Sequence, residues 1–324
     1  QGARSGDPRD GEGDDGVKPY VPEPLPPAGI DWEVHIPQIA SANRALARYD
    51  GVLQAIPNPQ LLLSPLLTQE AVLSSRIEGT QASLEDVLCF EANPREVISD
   101  AALADIQEII NYREALNTAV EVLKTRRLDS ALICDLHRIL LTSSRGMNRE
   151  PGCIRDIQNF IGRDAHIEHA IFVPPAPEDV FGALADWEAY LQQEEKDVLV
   201  QLSVLKAQFE LIHPFCDGNG RIGRMLVPLI LYEKGLIGSP MFYISAYLER
   251  NRPVYYERLL AVSRDGDWNG WIAFFLHAIE EQAGTNGRKA KAILDLYDEM
   301  KQTVPEVTRS QYAVAAIDAL FKTP

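Results

Sequence analysis

From about Ile39 onward, apolar residues return at spacings of three and four with a single interruption, which confines this chain to a mainly α fold. Val180, Leu184, Trp187 and Leu191 form one such stripe. The spacing predicts helices over about 83–90, 100–123, 129–142, 178–193 and 197–212. An earlier helix starts at Ser64-Pro65-Leu66, with Ser64 as N-cap and Pro65 at the first helical position. It stops at Gly79, a good C-terminal cap. Downstream, helices are predicted over about 219–233, 252–263, 268–283 and 287–301, and the stretch 305–324 holds one helix and part of another element. The interruption is 152–175, where Gly152, Gly162, Pro174 and Pro175 surround the short runs 157–161 and 170–173. That pattern predicts a β-hairpin or extended flap.

The 324 residues suffice for one large domain or two smaller ones. Residues 1–29 are polar, acidic and rich in Gly and Pro, which predicts a disordered or extended tail. The remainder divides into an N-terminal helical region, 30–125, a core, 126–285, and C-terminal helices, 286–324. Lys and Arg total 31 against 47 Asp and Glu, a formal charge of −16. That balance opposes a broad nucleic-acid or anionic-membrane surface. Cys89, Cys134, Cys153 and Cys216 lie far apart with no CxxC pairing, so neither a disulfide framework nor a zinc site is indicated. With no apolar run near 18 residues and no signal peptide visible, a reduced, cytoplasmic setting is expected.

One segment carries chemistry: His213-Pro214-Phe215-Cys216-Asp217-Gly218-Asn219-Gly220-Arg221-Ile222-Gly223-Arg224. Gly218 and Gly220 let the backbone turn tightly and gather N–H groups at one spot. A helix beginning there adds its unpaired N–H groups and positive end, which favour a phosphate. Arg221 and Arg224, three apart on one side of the first turn, offer forked donors to further oxygens. Asp217 is a lone carboxylate in cationic surroundings, and a magnesium ion bridging it to phosphate oxygens accounts for it. His213 is placed to act as general base near neutral pH. No P-loop signature is present.

These twelve residues resemble the signature of the Fic family at every defined position, His-Pro-Phe-x-Asp/Glu-Gly-Asn-Gly-Arg-x-x-Arg, and the resemblance covers roughly residues 30–285. It implies a Fic-type helical bundle with one β-hairpin flap. It also implies transfer of AMP from ATP to a Ser, Thr or Tyr hydroxyl of a target protein. His213 then takes the hydroxyl proton, and Asp217 holds Mg2+ on the α- and β-phosphates. Gly218, Asn219 and Gly220 bind phosphates, Arg221 the β-phosphate region and Arg224 the γ-phosphate. Related Doc kinases carry Lys where this chain has Arg221. The flap implied by the resemblance is Gly152–Pro175, where a target segment pairs along the edge and Ala170, Ile171 and Phe172 face nucleotide and target. His166 and His169 in the flap are read as solvated loop residues rather than metal ligands. Tyr255 lies in a stretch resembling the family's adenine and ribose region.

Ser74-Ser75-Arg76-Ile77-Glu78-Gly79 resembles the family's inhibitory helix, about 64–79 here. Glu78 falls in a last helical turn, where the dipole disfavours an anion by about 0.3–1 kcal/mol. The resemblance makes Arg224 its partner, with Ser74 beside it. The expected partners are ATP, a target protein along the flap, the chain itself as target, and a second copy as homodimer. No membrane or nucleic acid is expected. The alternatives are UMP or phosphocholine transfer, removal of AMP with Glu78 positioning water, or a regulatory protein whose C-terminal residues begin a truncated winged-helix segment.

Overall fold

Side-chain oxygens that accept from free backbone N–H groups start six of the helices, as local sequence dictates. The computed structural model of the chain describes residues 18–56, 58–94, 98–142, 150–162 and 166–322. Asp31 caps α1 (Trp32–Ala55) through the Val34 N–H. After α2 (Pro59–Leu62) comes α3 (Ser64–Ile77). A Ser83/Asp86 capping box opens α4 (Leu84–Ala92), Ser99 opens α5 (Asp100–Val122) and Asp129 opens α6 (Ser130–Leu140). Two short strands, β1 (Ile161–Gly162) and β2 (Ala170–Phe172), pair antiparallel, Ile161 facing Phe172 and Gly162 facing Ala170. Next come α7 (Pro177–Gln192), α8 (Val198–Ile212), capped by Asp197, and α9 (Asn219–Glu233). The chain closes with α10 (Ser245–Arg250), α11 (Arg252–Asp265), α12 (Trp268–Thr308) and α13 (Ala313–Lys322). The mainly α architecture with one small hairpin agrees with the sequence reading.

The central element is α8, in which every residue from Leu199 to Ile212 is buried. It packs against α7, α9 and α12, so its last residue, and the motif that follows, start from a fixed frame. Trp187 and Trp271 donate their indole N–H groups to the Leu205 and Ser203 carbonyls of α8, at 2.8 and 2.7 Å. These bonds pin the flanking helices in register.

Two expectations are corrected. The two helices predicted at 268–283 and 287–301 are one helix, α12. Gly284, Thr285, Asn286 and Gly287 look like a break, but packing overrides their weak helix preference. Asn286 is buried and donates to the Tyr243 carbonyl at 3.0 Å. Ser64 does not cap α3: Leu63 stands at the N-cap with no side-chain bond, because α2 runs straight into α3 and the Leu63 carbonyl accepts from Leu66 and Leu67. The predicted tail lies outside the described residues as far as 17, and the rest of it is anchored. Tyr20 donates from its backbone to the Val173 carbonyl at 2.8 Å, and Glu23 accepts from the Trp268 indole at 2.9 Å.

Candidate active site

α8 ends on His213, whose backbone turns left-handed at φ 50 and ψ 60. The loop then runs to Gly218, again left-handed at φ 78, which starts α9 with no side-chain cap. The first N–H groups of α9 therefore point at the loop as a ready anion site. Asn219, 1% exposed, closes this loop from inside: it accepts from Phe215 N–H at 2.9 Å and donates to the Phe215 carbonyl at 2.7 Å. The oxygen and one of the two amide donors are thus engaged within the loop.

A second brace was not visible in sequence. His137 of α6 is fully buried, stacked on Phe215 with centroids 3.8 Å apart. Its Nδ1 accepts from Gly152 N–H (2.8 Å), so its Nε2 carries the proton and donates to the Asp217 carbonyl (2.9 Å). Burial, outweighing the bond to Asp217, pulls its pKa down to about 4, so the ring is neutral at pH 7.

The candidate base has the opposite wiring. His213 Nδ1 lies 3.2 Å from the Glu210 carbonyl, which can only accept, so Nδ1 carries the proton and the Nε2 lone pair is left to take one. Burial lowers the pKa of His213 against the opposing pull of Glu210 and Glu78, keeping the imidazole neutral.

Both motif arginines are held by acids. Arg224, 1% exposed, donates Nε to the Ser74 hydroxyl (2.9 Å) and Nη2 to the Ser74 carbonyl (2.9 Å) and Glu78 Oε1 (2.6 Å). Ser74 and Glu78 are four apart on α3 and its C-cap, so one face of the helix grips one guanidinium. Burial raises the Glu78 pKa, but Arg224 wins and holds the carboxyl below its ordinary range. Room for Glu78 comes from Gly220, where a Cβ would collide with Glu78 Oε1. Arg221 donates to Glu108 of α5 at 3.0 Å, and Thr80 donates to the same oxygen at 3.1 Å. The other arm of Arg221 lies 3.6 Å from Asp217 Oδ1, and its Nε is buried without a partner among the described residues. Asp217 sits at the loop mouth, 41% exposed, with Oδ1 accepting from Gly218 N–H at 2.6 Å.

The flap and downstream tyrosines depart from expectation. Ile171 is half exposed on β2, but the Phe172 ring packs on Tyr20, 5.7 Å away, and on the core. Tyr255 is buried, its hydroxyl beside Lys206 and Glu210, which form an ion pair one turn apart on α8. It cannot meet a base or sugar there. Its neighbour Tyr256 is 42% exposed, and its hydroxyl feels the charges of Glu78 and Arg224. His166 and His169 lie 5.9 Å apart as rings, and no group of three possible metal ligands occurs among the described residues. Two surface cavities of about 550 and 560 Å3 lie away from the motif, against α6 and α7 and near Lys234. Over the motif, the Glu78 carboxylate takes the space above Gly220. No helix among the described residues is long and apolar enough to cross a membrane.

Comparison with known proteins agrees with this geometry. Residues 36–121 match the Fic/DOC family N-terminal model and 127–231 the Fic/DOC family model, together more than half the chain. A probable protein adenylyltransferase of Aquifex aeolicus is 30% identical over 193 residues, covering 58% of this chain and 56% of that protein. The protein adenylyltransferase Fic of Nematostella vectensis is 27% identical over 215 residues, covering 64% and 45%. The chain thus spans about half the length of these curated relatives. Among solved structures, a Fic domain containing signaling protein from Bacteroides thetaiotaomicron aligns with TM-score 0.61 at 18% identity, over 78% of this chain and 97% of that one. A Fic family protein from Desulfovibrio desulfuricans aligns at 0.58 and 23%, over 79% and 74%. At such identities the structures share the fold.

Proposed function

This chain belongs to the Fic/DOC family, and on that premise we propose that it is a protein adenylyltransferase that moves AMP from ATP onto a hydroxyl of a target protein. The observation that carries this reading is the wiring of His213: a neutral imidazole with its Nδ1 proton committed to the Glu210 carbonyl and its Nε2 lone pair left to accept, in the loop that leads to an uncapped helix start. Nε2 takes the proton of the target hydroxyl. Its oxygen forms a bond to the α-phosphorus as the bond to the bridging oxygen breaks, and pyrophosphate leaves. The N–H groups at the start of α9 receive phosphate oxygens, and Arg221 and Arg224 supply charge to the outer phosphates. The exposed edge of β1 and β2 offers main-chain pairing to an extended target segment, including one from the chain itself.

Asp217 suits Mg2+, which typically keeps several waters and takes one or two carboxylates plus substrate phosphates. A single partly exposed carboxylate at the loop mouth is that donor set. Bound there, the ion would neutralise charge on the α- and β-phosphates.

The resting state is inhibited. A γ-phosphate and the Glu78 carboxylate compete for Arg224, and Glu78 holds it at 2.6 Å. The test is incubation with α-labelled ATP and magnesium, with mass spectrometry of the labelled protein and of candidate targets. An AMP adduct on a hydroxyl in the Glu78→Gly variant supports the reading. Label appearing only from UTP or CDP-choline would replace it with another Fic reaction, and loss of an existing AMP adduct would point to hydrolysis.

A further inference from the structure

Arg155 is 1% exposed, yet among the described residues no carboxylate pairs with it. A buried guanidinium without a counter-ion is costly unless its donors are satisfied otherwise. Here four of its five N–H donors go to backbone carbonyls. Nε donates to His213 (2.9 Å), Nη2 to Pro175 (2.6 Å) and Ile212 (3.3 Å), and Nη1 to Ile157 (3.2 Å). Its own backbone N–H reaches the Pro214 carbonyl at 2.9 Å. Two neighbours extend the seam: Gln158 donates to the Pro174 carbonyl (3.1 Å) and Asn159 to the Phe215 carbonyl (3.1 Å). The acceptors fall into three groups: the last residue of α8 with the turn that follows, Ile157 in the limb that enters the flap, and Pro174 and Pro175 in the limb that leaves it.

Resting on the transferase reading above, we infer that Arg155 is a positioning residue for transfer: its fork ties the left-handed backbone of His213 to both limbs of the flap, so that the base and the hydroxyl delivered along the flap are held as one unit. A planar fork with fixed donor directions suits carbonyls on different segments; a lysine ammonium is a compact charge and cannot span them. Arg155 also faces the imidazole as a charge. Of the groups around His213, burial and Arg155 favour the neutral ring, while Glu210 and Glu78 favour the charged one.

The experiment compares Arg155→Lys and Arg155→Met with their parent, all in the Glu78→Gly background, reading kcat and KM for ATP, thermal unfolding and the His213 imidazole titration by NMR. Misplacing a reacting group by about 1 Å costs on the order of 100-fold in rate. The expected result for Arg155→Lys is therefore a kcat lower by roughly 10- to 100-fold at unchanged KM for ATP, partly restored by added guanidinium ion. In Arg155→Met the His213 titration moves upward, because a facing cation is gone. A folded Arg155→Lys with the parent's kcat overturns the inference, as does an unchanged His213 titration in Arg155→Met. If Arg155→Met fails to fold, Arg155→Lys decides alone. If the Glu78→Gly parent itself transfers nothing, the transferase reading has failed, and the His213 titration still judges Arg155.

Discussion

The loop 213–219 and the end of α3 meet at the start of α9 and are held in opposite ways. The loop is braced by three side chains that are 1% exposed or less, Asn219, His137 and Arg155, each bonded to backbone amides or carbonyls. The end of α3 is held through Arg224 by Ser74 and by one carboxylate, Glu78, that is 36% exposed. Bonds from buried side chains to neutral backbone groups offer an arriving anion no acid to displace. A single acid on a guanidinium does, because a phosphate offers the same chemistry with more charge. The loop is built to stay, and the acid is built to be replaced.

The largest effect should come from the chemistry the loop presents. Asn at position 213 tolerates the left-handed backbone, so His213→Asn isolates the loss of the base. AMP transfer in the Glu78→Gly background should fall by about 10²–10⁴-fold with little change in unfolding temperature. Transfer near the parent's rate would remove His213 from the mechanism. Next, Asn219→Ala should open the loop from inside. It strands the Phe215 amide, costing about 1–3 kcal/mol of stability, and transfer should fall roughly 100-fold. An Asn219→Ala protein that transfers normally would show that the loop does not depend on its inner clamp.

The other side of the comparison predicts a gain. Glu78→Gly should raise self-labelling from α-labelled ATP by a factor between about 5 and 150, while lowering unfolding stability, since Arg224 loses its acid. Adding Arg224→Ala should cancel the gain. Equal labelling with and without Glu78 would sink the inhibitory role.

The smallest effect concerns the anchor of α3. Glu70, one turn before Ser74, accepts from the Ser245 N–H (3.0 Å) and hydroxyl (2.6 Å). Burial pushes its pKa from 4.5 up to about 7, against those bonds. Because the folded value is raised, its contribution is complete below pH 4.5 and is lost as pH rises through 7. The total is on the order of 3 kcal/mol. Glu70→Gln, which keeps the shape, should flatten the fall in unfolding temperature between pH 5 and 8. An unchanged slope would show that Glu70 ionises at its ordinary pKa.

Much of this site was legible in the sequence because the motif is contiguous and its geometry follows from two glycines and a helix start. Glu78 and Ser74 were legible by family pattern, and the structure puts both on Arg224. His137, Glu108 and Arg155 were not, since each reaches the motif across 58 to 113 positions through contacts that only the folded chain creates. Tyr255 and Tyr256 show a different limit. Adjacent residues on a helix point about 100° apart, so the pattern says one is buried and one open without saying which. The long α12 was missed because the composition of 284–287 suggests a stop, whereas Asn286 is buried there and bonds the Tyr243 carbonyl.

On the proposed reading, the absent side chain at Gly220 sets how ATP and Glu78 share one volume. The Glu78 carboxylate crowds the space a Cβ would take, so on that reading nucleotide in its productive pose and Glu78 in its resting pose partition the same population of molecules. If one molecule in about 100 is free of Glu78, the apparent dissociation constant for that pose is about 100-fold weaker than the intrinsic one. Any partner that holds α3 aside then raises productive occupancy at constant ATP, without touching a nucleotide contact.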